Sequence, residues 1–200
     1  MDKKVSIILS TYNEASVIED TITQILKNLD SVEIILVDDN STDGTFEIVK
    51  KINSPNVKAY SRNTRGLASA FLLGLINSSS NTIGWLDSNM GSLANKFPEM
   101  MNKLDTHDIV ILSRYVDGAK DLRAKHRVFS SQMINYLCRL VLSNKIKDYT
   151  SGIFLMKREG EEKIETILAH FNVHNSIKYK GNKIKKQLSV KVFRNHSLVG

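Results

Sequence analysis

The chain has 200 residues, 42% of them hydrophobic, a net charge of +7 and one cysteine. That length and apolar content support one domain with a buried core, with no need of disulfide staples. No run reaches the roughly 18 apolar residues of a bilayer span, and Met1-Asp2-Lys3-Lys4 leads straight into an apolar strand rather than a signal-peptide core, so the expected location is cytoplasmic.

In chain order, Val5–Leu9 predicts a strand, Ala15–Leu29 a helix, Val32–Val37 a strand, and the residues from about Asp43 a helix. Val57–Tyr60 predicts a third strand, Gly66–Ile76 a helix and Thr82–Leu86 a fourth strand. Asp108–Leu112 adds another strand and Arg127–Leu142 a long amphipathic helix; Ile153–Met156 and Leu188–Phe193 read as shorter strands. Continuous apolar strands alternating with helices indicate a mostly parallel sheet covered on both faces. Cys138 falls in the helical pattern of Met133, Leu137, Leu140 and Val141 and reads as a small core or boundary residue rather than a nucleophile. The turn "NSSSNT" at 77–82 is no domain linker, and the chain shows no internal repeat.

Charge is distributed unevenly. Residues 1–119 carry 11 basic and 15 acidic side chains, whereas residues 120–200 carry 17 basic and 6 acidic. After Glu165 no acid occurs, while Lys178, Lys180, Lys183, Lys185, Lys186, Lys191 and Arg194 follow. Such a segment suits an anionic partner; the alternative is a solvated lysine face. Nucleic acid is a poor match, because no aromatic stacking platform or known module accompanies the charge.

Ligands of open parallel sheets bind beyond the carboxyl ends of the strands. Three such ends here are polar: Ser10-Thr11-Tyr12-Asn13-Glu14, Asp38-Asp39-Asn40-Ser41 and Asp87-Ser88-Asn89. A carboxylate at such an edge accepts hydrogen bonds from the donors of a base or ribose. The competing local reading is that Asp38 or Asn40 caps the next helix, with Ser41 and Thr42 supporting the turn before Asp43. Asp39 is the better ligand candidate, with its side chain expected to open onto the cleft. Oxygen ligands at alternate positions, Asp87 and Asn89, suit a divalent cation held against a diphosphate. A dinucleotide-dependent oxidoreductase would also use βαβ units, yet "STYNE" stands where its glycine-rich turn should follow the first strand.

Taken together and in order, "STYNE", "VDDNSTDGT", "RNTRGLASAFLLG" (62–74), "WLDSN", "SRY" (113–115) and "DYTSGIFLMKRE" (148–159) resemble the inverting family-2 glycosyltransferases. Within them the chain is similar to the polyprenyl-phosphate (dolichol-phosphate) mannosyltransferase branch. The resemblance implies a nucleotide-diphosphosugar transferase (glycosyltransferase A) fold, three-layer α/β/α with a mostly parallel sheet, as a single domain over 1–200. Its nucleotide-binding part would span about 1–115 and its acceptor part about 116–200. It further implies a GDP- or UDP-sugar donor, Mg²⁺ or Mn²⁺, and a polyprenyl-phosphate or other acceptor.

By position, the resemblance gives Thr11, Tyr12, Glu14, Asp38, Asp39 and Arg65 to the nucleotide. Asp87, with Asn89, goes to the metal and diphosphate, and Arg114 and Arg127 go to phosphate groups, which guanidinium forks match bidentately. Thr150, Ser151 and Gly152 match a turn near the acceptor, with Arg194 a further acceptor-side residue. A phosphate acceptor needs no general base; for a hydroxyl acceptor the candidate base is Asp148. The chain departs from the branch where D-x-D becomes Asp87-Ser88-Asn89, followed by Met90-Gly91, and where His196 occupies the position of a late arginine. These departures motivate the alternative of a glycosyltransferase-fold protein with a binding or regulatory role. Membrane contact is expected to be peripheral or through a partner protein.

Overall fold

The computed structural model describes residues 4–113, 128–129, 131–136 and 148–158. The elements, in order, are β1 (Val5–Thr11), α1 (Ile18–Asn28), β2 (Val32–Asp38), α2 (Thr45–Lys51), β3 (Val57–Ser61), α3 (Leu67–Asn77) and β4 (Thr82–Leu86). A 3-10 turn at Gly91–Lys96 then runs into α4 (Phe97–Lys103), followed by β5 (Ile109–Ile111) and β6 (Ile153–Lys157). Residues 131–136 are also helical, within the span predicted from Arg127. The strand expected at Leu188–Phe193 and Cys138 lie outside the described residues.

The six strands form one sheet in the order β3-β2-β1-β4-β6-β5. β1 pairs parallel with β2 and β4, and β2 pairs parallel with β3. β6 runs antiparallel to both its neighbours, β4 and β5. The sheet is therefore mostly parallel, as its apolar strands predict, with one reversed strand inserted near its edge.

Alternation along β1 explains why both faces are covered. Val5, Ile7 and Leu9 enter a core with Ile18, Ile22 and Ile25 of α1, Val49 of α2, and Phe97 and Met100 of α4. Ile8 points to the other face, where Phe71 and Leu75 of α3 pack with Ile83, Trp85, Phe154 and Met156. The spacing of Ile18, Ile22 and Ile25 is that of one helical stripe, and each fully buried isoleucine contributes about 2 kcal/mol. Glu19 and Asp20 in the first turn of α1 and Lys27 in its last complement the helix dipole. On the opposite face Gly74 lets α3 approach β1, since a Cβ there would lie 2.5 Å from Ile8 Cγ2. Gly74→Ala should overpack this contact by about 1–3 kcal/mol.

The sequence reading leaves 87–107 without an element, and the structure places the 3-10 turn and α4 there. Ala94, Phe97, Met100, Met101 and Leu104 are buried at helical spacing, and Pro98 occupies the start of α4, where a missing N–H costs nothing. Among the described residues no helix is long and apolar enough to cross a membrane.

Candidate active site at the carboxyl edge of the sheet

The parallel strands deliver their carboxyl ends to one edge, in the spatial order β3, β2, β1, β4. Backbone bonds extend the ladder past the strands: the Asp39 N–H donates to Thr11 O, and the Arg62 N–H to Asp38 O. Arg62, Asp39, Thr11 and Asp87 are thereby carried on neighbouring strand ends. At the usual interstrand spacing, Asp39 and Asp87 stand two strands apart, about 10 Å. That span suits a nucleoside diphosphate whose base lies at one end and whose phosphates lie at the other.

The loops after β1 and β2 are stitched together. Asn13 N–H donates to Ser41 Oγ (2.9 Å), Thr42 N–H to Asn13 Oδ1 (2.9 Å), Glu14 N–H to Thr45 Oγ1 (2.9 Å) and Ala15 N–H to Asp43 Oδ2 (2.9 Å). Asn13 and Asn40 adopt positive φ of 56° and 60°, a conformation that asparagine tolerates better than most residues. Asp43 also accepts from the Thr45 hydroxyl at 2.5 Å. The Thr45 hydroxyl and then the Ala15 N–H hold the Asp43 carboxyl below the usual aspartate value. Glu14 sits at the turn into α1, its carbonyl accepting from Val17 and Ile18 N–H.

Asp38 is 1% exposed. Thr11 Oγ1 and Ser41 Oγ donate to its Oδ1 at 2.9 and 2.5 Å, and Ser41 N–H donates to its Oδ2 at 2.8 Å. Asp38 therefore does not cap α2, which follows Gly44 without a side-chain cap bond; it closes its own loop and ties it to β1. Asp39 departs from expectation: it is 7% exposed rather than open to the cleft. Arg62 Nε donates to its Oδ1 (2.5 Å) and Gly66 N–H to its Oδ2 (3.0 Å). Arg62 also donates to Ser69 Oγ and Gly66 O, so one guanidinium braces the whole 62–69 loop against β2. Sequence reading quoted this loop but selected Arg65 from it and missed Arg62, whose buried carboxylate partner is remote in sequence.

Tyr12 is 39% exposed, and the Arg65 guanidinium lies 3.7 Å from its ring centroid. The loops after β1 and β3 thus meet through a cation–π contact worth about 0.5–1 kcal/mol at an exposed site. Both residues assigned to the nucleotide by resemblance are brought together here.

Beyond β4, the Trp85 indole N–H donates to Asp87 Oδ1 at 3.0 Å. The Asp87 N–H donates to Gly152 O at 2.9 Å, and a Cβ on Gly152 would overlap Asp87 Oδ2. Ser88 is buried and its carbonyl accepts from Thr21 Oγ1 of α1, whereas Asn89 is exposed. Asp87 and Asn89 therefore share a short turn, closed by the Met90 N–H bond to Asp87 O.

The turn 148–152 is fastened to this end of β4. Thr150 N–H and Oγ1 both donate to Asp148 Oδ1 at 3.1 Å, and Ser151 Oγ donates to Leu112 O at 2.7 Å. Asn135, from the helical segment 131–136, accepts from Tyr149 N–H (2.5 Å) and donates to Thr150 Oγ1 (3.2 Å). Asn135 was not singled out in the sequence, because nothing local distinguishes a buried asparagine from a surface one. Asp148 is 1% exposed, so in this conformation it supports the turn and is not presented to an acceptor as an open base. Arg114, Arg127, Arg194, His196 and the lysines from Lys178 onward lie outside the described residues.

Among the described residues no group of three or more His, Cys, Asp or Glu is gathered as a metal cage. The donor set fits an ion that takes one carboxylate and an amide oxygen from protein and its other ligands from a diphosphate and water, the manner in which Mg²⁺ is commonly held. The missing Cβ of Gly152 leaves the room that the Asp87 carboxylate occupies.

Comparison with known proteins bears on the family and the fold. Residues 6–165 match the family described as Glycosyl transferase family 2. The chain is 31% identical over 186 residues to a dolichol-phosphate mannosyltransferase of Pyrococcus furiosus, covering 89% of this chain and 53% of that protein. It is 30% identical over 170 residues to the dolichol-phosphate mannosyltransferase of Saccharomyces cerevisiae, covering 80% and 62%. The chain thus spans only about half to three-fifths of the length of these relatives. Glucosyl-3-phosphoglycerate synthase of Mycobacterium tuberculosis, solved with Mn²⁺ and UDP-glucose, superposes with a TM-score of 0.59 at 24% identity, covering 78% of this chain and 57% of that one. The six-stranded sheet with helices on both faces is of the glycosyltransferase A type, and the chain belongs to glycosyl transferase family 2.

Proposed function

We propose that this protein transfers a hexose, with mannose favoured, from a nucleotide-diphosphosugar to a polyprenyl or dolichyl phosphate, with inversion at the anomeric carbon. The observation that carries this reading is the alignment of Tyr12, Asp39 and Asp87 along one sheet edge, with the turn 148–152 bonded directly to Asp87. Identity of about 30% to two dolichol-phosphate mannosyltransferases supports the donor and acceptor classes.

In this reading the base lies by Tyr12, Arg65 and Asp39, and the diphosphate by Asp87 and Asn89. An acceptor phosphate oxygen forms the new bond to the anomeric carbon as that carbon's bond to the diphosphate breaks, the electron pair leaving with the nucleoside diphosphate. A phosphate oxygen is already anionic, so no side chain must remove a proton and buried Asp148 is free to serve the turn. A bound Mg²⁺ or Mn²⁺ would neutralise the leaving diphosphate. The M. tuberculosis enzyme of like fold, solved with Mn²⁺ and UDP-glucose, supports a divalent ion. Arg114 and Arg127 complete the phosphate contacts, and Thr150, Ser151 and Arg194 serve the acceptor. Lys178, Lys180, Lys183, Lys185 and Lys186 bring the enzyme to an anionic membrane face, each contributing about 1 kcal/mol near the surface.

Thermal-shift measurement with a panel of GDP- and UDP-sugars, with and without Mn²⁺, tests the reading. Stabilisation by one nucleotide sugar that requires the cation is expected, followed by transfer to a polyprenyl phosphate. No stabilisation by any nucleotide sugar overturns it. Asn89 favours a second reading, a relative that binds the donor without turning it over, because an amide replaces an anionic ligand. Donor binding without transfer or hydrolysis would select that one.

A further inference from the structure

We propose that Trp85 is the positioning residue of the cation site, its indole N–H fixing the Asp87 carboxylate in the orientation that receives the ion. The inference rests on the metal reading above and names a device within it. Trp85 lies on the α3 face of β4, and Asp87 follows the last residue of that strand, two positions on. Trp85 is 1% exposed, and a buried indole N–H needs an acceptor; it has one in Asp87 Oδ1 at 3.0 Å.

The indole is itself held. The Phe71 ring lies 5.7 Å from it, centroid to centroid, edge-on at 61°, and Phe154 packs in the same cluster. Across from the indole, Gly152 supplies no Cβ where Asp87 Oδ2 lies, and its carbonyl receives the Asp87 N–H. Backbone and carboxylate of Asp87 are thus both anchored before any ion arrives.

The anchoring matters more here than in a site with two acids. Asn89 is uncharged and exposed, so within this turn Asp87 is the anionic side chain that draws the ion. Preorganising that carboxylate removes the entropy of ordering it on binding and compensates part of the lost charge. The same N–H bond fixes which oxygen turns toward the indole.

Trp85 is the single tryptophan of the chain, so one indole resonance and one emission spectrum report on this contact. In the ¹H–¹⁵N spectrum of the full chain, Mn²⁺ with GDP or UDP should broaden the indole cross-peak, and Mg²⁺ with the same nucleotide should shift it. Trp85→Phe keeps a ring in the aromatic cluster and removes the N–H. Mn²⁺ affinity, measured by calorimetry in the presence of the preferred nucleotide, should fall about tenfold, with nucleotide affinity in the absence of metal unchanged. Gly152→Ala pushes the carboxylate from the other side, leaves the indole in place, and should weaken Mn²⁺ while shifting the indole cross-peak. It decides the matter should Trp85→Phe fail to fold: unaltered Mn²⁺ affinity and an unmoved cross-peak in Gly152→Ala overturn the proposal. A Trp85→Phe protein that binds Mn²⁺ like the wild type, while Asp87→Ala loses it, overturns the positioning role and leaves the metal reading standing. Wild-type protein that binds no Mn²⁺ with either nucleotide overturns both.

Discussion

The two ends of the sheet both bury carboxylates, and they use them differently. At the amino edge, Glu33 of β2 is nearly inaccessible, with Ser6 Oγ donating at 2.6 Å, Ser79 N–H at 2.8 Å, and Lys58 Nζ forming the ion pair. Burial pushes this carboxyl up, but the donors outweigh it and hold it down at about 2. Those donors come from strands and from the tight turn 77–81, so the network closes on itself. At the carboxyl edge, Asp38 is closed in the same way, whereas Asp39 and Asp87 are held by a loop arginine, a glycine N–H and an indole. A carboxylate at a strand end is therefore not a ligand by position alone. The partners differ from acid to acid: Asp38 is held by Thr11 of β1 and by Ser41 of its own loop, Asp39 by Arg62 and Gly66 of the loop after β3, and Asp87 by Trp85 of β4.

The sharpest break of this comparison is Asp87→Ala, which should abolish cation-dependent donor binding, a loss of at least about a hundredfold in calorimetry, while leaving the fold intact. A fully retained Mn²⁺-dependent affinity would place Asp87 with Glu33 among the purely structural acids. Next comes Asp39→Ala, which strands the Arg62 guanidinium, whose side chain is 13% exposed. Urea denaturation should show a loss of about 3 kcal/mol, in addition to weaker nucleotide binding. Asp39→Ala protein of undiminished stability would mean that Arg62 finds solvent easily and the loop is already open.

Acid should act on the amino edge. The Glu33 carboxyl is depressed from its ordinary 4.5 to about 2, so its stabilisation is present above pH 4.5 and is lost as pH falls toward 2. The shift corresponds to about 3 kcal/mol, which screening through half-exposed Lys58 reduces to about 1–2 kcal/mol. Urea midpoints between pH 7 and 3 should fall for the wild type, and fall less for Glu33→Gln; parallel curves would refute the linkage. The smallest expected effect is that of Asn89→Asp. A second anionic oxygen should tighten Mn²⁺ by about 1 kcal/mol, limited because the side chain is exposed and solvent screens it. Unchanged affinity would show that Asn89 stays clear of the ion.

Much of the fold was legible because its code is local. Val5–Leu9, Val32–Val37 and Thr82–Leu86 are apolar runs bounded by polar turns, and each became a strand within a residue or two at either end. Asp108–Leu112 shortened to Ile109–Ile111, as expected of a strand near the sheet's edge. α4 was equally legible in Ala94, Phe97, Met100, Met101 and Leu104, with Pro98 at the start of a helix where it belongs, although the sequence reading assigned no element there.

The sequence by itself determined the residue types at each strand end, the alternation that produces a covered parallel sheet, and the order of motifs that places the chain in its family. Tertiary structure alone decided which distant partner meets each strand-end acid. Asp38 meets Thr11 across 27 positions, Asp39 meets Arg62 across 23, and the Gly152 carbonyl meets the Asp87 N–H from the reversed strand β6's turn. It also decided that Trp85, indistinguishable in sequence from any core aromatic, turns its N–H toward Asp87. Hydrophobic periodicity is written in neighbouring residues, whereas the satisfaction of a buried polar group depends on whichever distant donor the fold brings within 3 Å.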